Sequence, residues 1–382
     1  MSDVPHLRFP EFSGEWEKCK VSDLLDFYST NSLSWEQLEY DTNAMMNLHY
    51  GLIHVGLSTM VDLAKDKLPN IKEDNMPKNF ELCKEGDVAF ADASEDTNEV
   101  AKAIEFYNLA GKNVVCGLHT IHGRDNKCKT VVGFKGYAFS STAFHNQIRR
   151  IAQGTKIYSI STKNFSECYI GLPSKPEQVK IATLLRLIDE RIATQNKIIE
   201  KLESLIKGIA HRVAGMGKPN VCLKECLECT SSTLQESEVS DLGTYPVYGA
   251  NGIVGFLDSY NTPDEAIYIV KDGSGVGSVA YVKGKCSATG TLNILTAKQD
   301  YSLQFLYYML KVFNFEPYKT GMAIPHIYFK DYSKAKIFCS SYSKQLRYAK
   351  MLEAIDAKLL IEQKVFISLN SQKQYLLRLM FI

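Results

Sequence analysis

The feature that most constrains the fold of this chain is an internal repeat. The segment 154–209 matches a later segment at a constant offset of 167 residues, and the alignment needs no gap. The matched identities include Gly154 with Gly321, Gln178 with Gln345, and the dipeptide Ile188-Asp189 with Ile355-Asp356. Chance matches do not keep one register over such a length, so the repeat indicates a duplicated module.

The regions upstream of the repeated segments are much less alike. Only a short stretch aligns at the start of each half, with Val21, Asp23 and Leu25 on Leu223, Glu225 and Leu227. The middles, 35–150 and 230–315, look unrelated, and the first is longer. Each half therefore consists of a variable globular part followed by a shared module that ends in a helix.

The shared module has the pattern of a long amphipathic helix. Its apolar residues alternate in steps of four and three, which is a heptad seam. One polar residue interrupts each copy at the aligned positions Gln195 and Glu362, and Lys373 interrupts the second copy again. The proposed seam comprises Ile181, Leu185, Ile188, Ile192, Ile199 and Leu202 in the first copy, and Leu352, Ile355, Leu359, Phe366 and Leu369 in the second.

The seam predicts two long helices that pair with each other, in antiparallel fashion if the duplication carries two-fold symmetry. The alternative is two separate core helices, each packed on its own domain. Because Lys373 breaks the seam, we expect the last turns of the second helix to pair loosely. The fold class is α+β, with globular domains at 1–172 and 216–339 and helices at 173–215 and 340–382.

Composition excludes several classes of protein. The 382 residues carry a formal net charge of +1, which argues against a small basic DNA-binding domain but not against local basic patches. The sequence contains no long apolar run that predicts a membrane span, and it begins without the pattern of a secretory signal. The 10 cysteines are then expected to be reduced thiols in the cytoplasm.

Several short motifs occur in a fixed order along the chain. They are residues 6–12 (HLRFPEF) with 14–17 (GEWE), 172–182 (LPSKPEQVKIA), 245–253 (YPVYGANGI) and 271–275 (KDGSG), with 85–88 (EGDV) and 117–120 (GLHT) as counterparts in the first half. Together they closely resemble the DNA specificity subunits of type I restriction–modification enzymes. The second helix departs from the pattern, because Pro176-Glu177-Gln178 becomes Ser343-Lys344-Gln345.

The resemblance implies a non-catalytic protein with two target-recognition domains held by the helix pair. Each domain would read one half of a split double-stranded DNA target. Two methyltransferase subunits, and two restriction subunits in the full enzyme, would assemble around the chain. No cofactor is implied. A coiled-coil adaptor with two protein-binding heads remains an alternative that does not involve DNA.

Two motifs raise the alternative of metal chemistry. Cys222-x3-Cys226-x2-Cys229 has the spacing of the iron–sulfur cluster of radical S-adenosylmethionine enzymes. His119-x2-His122 with Arg124 has two potential ligands but no third at a ligand spacing. Buried cysteines explain the first motif better, and a histidine near DNA or a core histidine explains the second better. We find neither a P-loop nor a methyltransferase motif. We therefore predict no metal and no catalytic residue.

Candidate DNA contacts are basic side chains for phosphates and polar side chains for base edges. In the first domain they are Arg124, Lys127, Lys129, Arg149 and Arg150, and in the second Tyr248, Asn251, Lys271, Lys283, Lys285 and Lys319. The alternative for each charged residue is a solvated surface side chain. For Tyr248 and Asn251 it is a turn built around Asn-Gly.

Overall fold

The computed structural model describes residues 4–273, 275–321 and 324–382. It divides into two compact units, unit 1 (Met1–Gln195 and Val365–Ile382) and unit 2 (Asn196–Lys364). Each unit combines a globular α+β part with segments of two long helices. In the described residues, no helix is long and apolar enough to cross a membrane.

Unit 1 contains short strands and short helices before its first long helix. Its strands are β1 (Glu17–Lys20), β2 (Asp26–Tyr28), β3 (Leu38–Glu39), β4 (Met46–Leu48), β5 (Met60–Asp62), β6 (Asn70–Ile71), β7 (Val88–Ala91), β8 (Ala93–Ser94), β9 (Ala103–Asn108), β10 (Val114–Cys116), β11 (Thr120–Arg124), β12 (Tyr158–Ser159) and β13 (Tyr169–Leu172). Its short helices are α1 (Val21–Leu24), α2 (Tyr50–His54), α3 (Lys135–Phe139), α4 (Thr142–Ile151) and α5 (Thr162–Ser166).

The core of unit 1 is a five-stranded sheet in the order β2-β11-β7-β9-β5. Strand β7 (VAFA) is apolar and buried along its whole length, as expected for a strand covered on both faces. A four-stranded sheet has the order β10-β4-β6-β3, and its strands are interspersed in the sequence with those of the five-stranded sheet. Strand β1 pairs with β13 just before the long helix begins.

Unit 2 repeats this plan with fewer elements. Its strands are β14 (Val221–Cys222), β15 (Leu227–Ser231), β16 (Tyr245–Gly249), β17 (Gly252–Leu257), β18 (Ala266–Val270), β19 (Val279–Val282), β20 (Ser287–Ala288), β21 (Leu292–Ala297) and β22 (Lys336–Ile337), and its short helices are α7 (Leu223–Cys226), α8 (Leu303–Lys311) and α9 (Phe329–Tyr332). The main sheet has the order β15-β21-β18-β19, and a second sheet the order β17-β16-β20. The apolar strand β18 (AIYIV) is central and fully buried.

The two predicted long helices are confirmed. They are α6 (Lys175–Ala214, 40 residues) and α10 (Tyr342–Leu379, 38 residues), which follow α5 and α9 in the numbering used here. Every residue of the proposed seam is buried or half-buried. Within unit 1, Ile181 and Leu185 near the start of α6 share a core with Leu377, Met380 and Phe381 at the end of α10. The helix segments therefore run antiparallel there.

The expectation that Lys373 loosens the last turns of α10 is wrong. Its ammonium lies 2.6 Å from the carboxylate of Asp189, and both side chains are only 15% exposed. The other departure has a similar explanation. Glu177, which the second copy replaces with Lys344, is buried and pairs at 2.7 Å with Arg8, a residue of the N-terminal segment.

The duplication is visible as repeated hydrogen bonds inside each unit. Gln178 accepts from the N–H of Val131 and donates to the carbonyl of Pro173. Gln345 likewise accepts from Ser302 and donates to Ser340. The weak upstream match is structural too, because α1 and α7 begin at the aligned residues Val21 and Leu223.

A second repeated contact joins a tyrosine to the aspartate of the Ile-Asp dipeptide. Tyr137 donates to Asp189 at 2.9 Å in unit 1, and Tyr308 donates to Asp356 at 2.9 Å in unit 2.

The predicted domain boundaries at 172/173, 215/216 and 339/340 fall near the ends of the long helices, whereas the compact units divide within these helices. The division into four domains stays a prediction.

Candidate nucleic-acid interface

In unit 1, two loops meet beside the end of α4. Strands β8 and β12 pair, and the N–H of Ile160 donates to the carbonyl of Asp92 at 3.0 Å, which joins loop 92–102 to loop 152–160. Helix α4 ends at this loop pair with Arg149 and Arg150, both exposed. Neither arginine forms an ion pair within the described part of the chain, so both are available to an anionic partner.

In unit 2, the segment aligned with loop 152–160 forms a similar pair with a loop that has no aligned counterpart. The N–H of Ile327, aligned with Ile160, donates to the carbonyl of Lys271 at 2.8 Å. This bond joins loop 271–277 to loop 319–328. The two halves even share the closing hydrogen bonds, between Gln153 and Ser159 in one and between Thr320 and His326 in the other. We call these two similar structures the paired loops of unit 1 and of unit 2.

The paired loops of unit 2 carry two of the predicted cationic residues. Lys271 is half-buried and has no ion pair in the described residues, whereas Lys319 lies 2.6 Å from Glu316. Ser274 of the predicted 271–275 motif lies outside the described residues. Basic side chains thus lie at or beside both loop pairs, Arg149 and Arg150 at the end of α4 in unit 1 and Lys271 and Lys319 in unit 2, although none of the four is aligned with another in the repeat.

Sequence reasoning missed neighbouring residues of the paired loops. His326 and exposed Tyr328 contact each other with ring centroids 5.2 Å apart, and Lys330 lies 5.2 Å from the Tyr328 ring. Exposed Lys156 belongs to loop 152–160 of unit 1. The alternation of aromatic and basic residues in 326–330 (HIYFK) was the available signal.

The hairpin of β16 and β17 holds the two predicted polar contacts in different environments. Asn251 is exposed in the turn before Gly252, whose φ of +106° suits glycine. Tyr248 is half-buried and packs edge-on against Tyr268, with centroids 5.7 Å apart. Burial raises the pKa of Tyr248. Asn251 is therefore accessible, whereas Tyr248 is largely part of the core.

Lys285 lies in the same sheet region beside two tyrosines. Its ammonium is 4.9 Å from the centroid of Tyr260 and 6.0 Å from that of Tyr245, and Lys285 itself is exposed. Tyr260 is exposed and Tyr245 is half-buried, and an accessible aromatic ring next to a cation suits stacking on bases or sugars as well as phosphate contact.

The prediction that Arg124 contacts DNA is wrong. Arg124 is 7% exposed, and its guanidinium makes two 2.8 Å hydrogen bonds to the Asp87 carboxylate and one of 2.6 Å to Glu81. The hydrogen bond with Asp87 is the main cause of a raised Arg124 pKa. Burial raises the pKa of Asp87, but hydrogen bonds from His122 and Arg124 outweigh burial and leave it lowered. Arg124 is a structural ion-pair residue.

Three other predicted lysines have intramolecular partners. Lys127 donates to the carbonyl of Asp23 at the end of α1, and the same contact recurs in unit 2, where Lys298 donates to Lys224. Lys129 pairs with Glu17 at 3.0 Å, and Lys283 pairs with Glu353 of α10 at 2.7 Å. These contacts indicate that the three lysines help to hold the folded units together. A role in DNA binding stays a prediction for each of them.

The two metal motifs are not assembled as the sequence alternatives require. One group of His, Cys, Asp or Glu side chains in the described residues has three ligand atoms within 4.8 Å of one another, and it includes none of Cys222, Cys226 and Cys229. These three cysteines therefore do not form a site for a single ion, and the Cys226 thiol is buried and donates to the carbonyl of Leu223. His119 is exposed beside Asp92, whereas His122 is buried against Asp87, so the two histidines face different partners.

Comparison with known proteins relates both halves of the chain to one family. The type I restriction modification DNA specificity domain matches residues 65–204 and again residues 218–370. A putative type I specificity subunit of Mycoplasma genitalium is 26% identical over 302 residues, which cover 72% of this chain and 78% of that relative. The specificity subunit of the type I restriction enzyme EcoprrI of Escherichia coli is 26% identical over 112 residues, 29% of this chain and 28% of the relative.

Solved structures share the fold. The crystal structure of a type I restriction–modification S subunit from M. genitalium matches with a TM-score of 0.67 at 19% identity, over 99% of each chain. A chain from a study of complex assembly and conformational transition of the type I R-M system matches with a TM-score of 0.54 at 15% identity, over 95% of this chain and 96% of that one.

The domain match occurs once in each half and together covers most of the sequence. It favours DNA recognition over a coiled-coil adaptor with protein-binding heads. This chain therefore belongs to the family of type I restriction–modification DNA specificity subunits, which recognise DNA rather than methylate or cleave it.

Proposed function

We propose that the paired loops of each unit contact one part of a bipartite double-stranded DNA target. The observation that carries this proposal is the recurrence of a similar loop pair, with basic side chains, in two otherwise different domains. Two copies of one helical module that carry different globular domains suit a target whose two parts differ in sequence.

The candidate contacts divide by chemistry. Arg149 and Arg150 in unit 1, and Lys271 and Lys319 in unit 2, would neutralise phosphates and set the position of each domain on the duplex. Asn251 has the donor and acceptor that match the major-groove edge of adenine. Lys285, with its flanking tyrosines, would add backbone or stacking contacts from the second sheet of unit 2.

Membership in this family supports partners beside DNA. We propose that two methyltransferase subunits, and two restriction subunits in the full enzyme, assemble with this chain in the cytoplasm. The chain would supply sequence recognition and a scaffold, and its partners would supply the chemistry. No cofactor is then required by this chain itself.

The test measures DNA binding by the complex of this chain with its methyltransferase subunits. We expect Arg149→Ala combined with Arg150→Ala to weaken binding and to reduce the slope of log affinity against log salt by about 2, since each lost phosphate contact removes about one released counterion. Lys271→Ala with Lys319→Ala should do the same in unit 2.

The matched control is Lys65→Ala with Lys67→Ala, which removes two exposed charges of unit 1 outside the paired loops. The control should leave the slope unchanged. Equal losses in the control and in the arginine variant would mean that the paired loops have no special part in binding.

A further inference from the structure

Unit 1 contains a buried group of two cysteines and one histidine outside the candidate DNA contacts. Cys83, Cys116 and His122 are 5%, 1% and 0% exposed, and their ligand atoms all lie within 4.8 Å of one another. The two sulfur atoms are 3.6 Å apart. A backbone bridge between Leu82 and Val115 sets Cys83 beside the end of β10. His122 lies within the neighbouring strand β11.

One ring nitrogen of His122 has a polar partner, and the other has none in the described residues. His122 Nε2 lies 2.7 Å from the carboxylate of Asp87, which also accepts from Arg124 and is therefore held ionised. An ionised carboxylate only accepts, so Nε2 carries a proton, and in the neutral ring Nδ1 then presents a lone pair. Nδ1 is fully buried and has no hydrogen-bond partner among the described residues. Buried polar atoms are seldom left this way, and the atom needs an explanation.

A carboxylate that orients a histidine through its far nitrogen is the usual support of a metal ligand. Two thiol groups beside the His122 ring complete a ligand set preferred by zinc. From these contacts we propose that Cys83 Sγ, Cys116 Sγ and His122 Nδ1 bind one Zn²⁺ ion, with Asp87 positioning the histidine.

The spacing and charge of the group fit this ion. Tetrahedral zinc with Zn–S bonds of about 2.3 Å separates two sulfur ligands by roughly 3.8 Å, close to the 3.6 Å between Cys83 and Cys116. Two thiolates balance the charge of Zn²⁺, and Arg124 balances Asp87, so the occupied site buries no net charge. Three protein ligands leave one tetrahedral position for an oxygen ligand.

The site would have a structural role in unit 1. It would join the segment that leads into β7 to strands β10 and β11, and β7 in turn leads into loop 92–102 of the paired loops. The proposal is independent of DNA binding. Cys83 and Cys116 are far apart in the sequence, so no short sequence motif reveals this set of ligands.

The test uses the full chain, incubated with excess Zn²⁺ and desalted, with zinc measured by mass spectrometry. We expect about one retained zinc per chain. Cys116→Ser and His122→Asn should each lose it. Two controls should retain it: Cys128→Ser, which removes an exposed cysteine, and Cys222→Ser with Cys229→Ser, which removes the alternative thiol motif.

Cobalt provides a second measurement that does not depend on the folding of variants. With Co²⁺ as the only added metal, the unmodified chain should show thiolate-to-cobalt charge-transfer bands and the visible bands of tetrahedral cobalt. Absence of these bands together with absence of retained zinc would overturn the proposal. Retention of zinc by Cys116→Ser, or its loss from the Cys222/Cys229 variant alone, would overturn it as well.

Discussion

Lys373→Met tests the ion pair that joins the end of α10 to the start of α6. The ammonium of Lys373 lies 2.6 Å from Asp189, whose carboxylate also accepts from Tyr137. Methionine keeps the length of the side chain but leaves this carboxylate without a cation. Removing one partner of a fully buried ion pair lowers the free energy of unfolding by about 3–5 kcal/mol. For an exposed ion pair the loss is about 0–1 kcal/mol. With both side chains 15% exposed, we expect a loss of about 2 kcal/mol.

Urea unfolding followed by tryptophan fluorescence measures this loss selectively. The two tryptophans, Trp16 and Trp35, both lie in unit 1, and Trp16 contacts Phe381 just beyond α10, with centroids 6.3 Å apart. With a slope of about 2 kcal/mol per molar urea, the fluorescence midpoint should fall by about 1 M.

The matched control is Lys67→Met, which removes a lysine of unit 1 that is 76% exposed and pairs with Asp41. It should shift the fluorescence midpoint by less than about 0.3 M. Asp189→Asn added to Lys373→Met should recover part of the loss, because the unpaired charge disappears. An unchanged midpoint for Lys373→Met, or a further loss in the double variant, would refute the argument.

Other predictions concern the cores, the Asp87 network and the modular reading of DNA. Leu185→Ala and Leu352→Ala each empty a fully buried site and should cost about 3 kcal/mol, but only the first should move the tryptophan-detected urea midpoint, because Leu352 lies in unit 2. Arg124→Met should lower that midpoint by 1 M or more, at about 3 kcal/mol, while leaving the salt slope of DNA binding unchanged. Because the folded pKa of Asp87 lies below its unfolded value of about 3.9, its stabilisation is present above that pH and is lost as pH falls further, so acid titration should unfold Asp87→Asn with a weaker pH dependence than the unmodified chain. Replacing residues 218–338 with the matching segment of a relative should change one half of the methylated sequence, as mapped across a genome, and a change in both halves would contradict modular recognition.

The repeat made the long helices predictable, because heptad spacing is a local signal that a single sequence carries in full. It also identified the aspartates at 189 and 356, although not the tyrosines that contact them. The tyrosines lie outside the aligned segment, in parts of the sequence that have diverged. An alignment of the two copies identifies residues that both copies share. It does not identify residues of the variable regions that contact them.

Predictions for single charged side chains were less successful because their partners are distant in the sequence. Arg124 follows a histidine-rich stretch and is a reasonable DNA contact until β7 brings Asp87 beside it. The environment of His122 depends on the same pairing of β7 with β11, which leaves Nδ1 without a hydrogen-bond partner in the described residues while Nε2 contacts Asp87. Burial of a charge is decided by strand order, which charge and spacing alone do not specify.

The ion pair of Lys373 has a consequence for self-association. At the aligned position of α6, Lys373 is replaced by Ile206, which lines a cavity of about 780 Å³ in unit 2 together with Asp356. A newly duplicated chain would have had interchangeable helices, and each half would have matched a second copy of itself as well as its neighbour. Divergence at this position makes the two helices unequal, because in the described part of the chain Asp189 pairs with Lys373 of α10, and α6 has no lysine at the aligned position. The pair thus favours pairing of α6 with α10 over pairing of α6 with a second copy of α6.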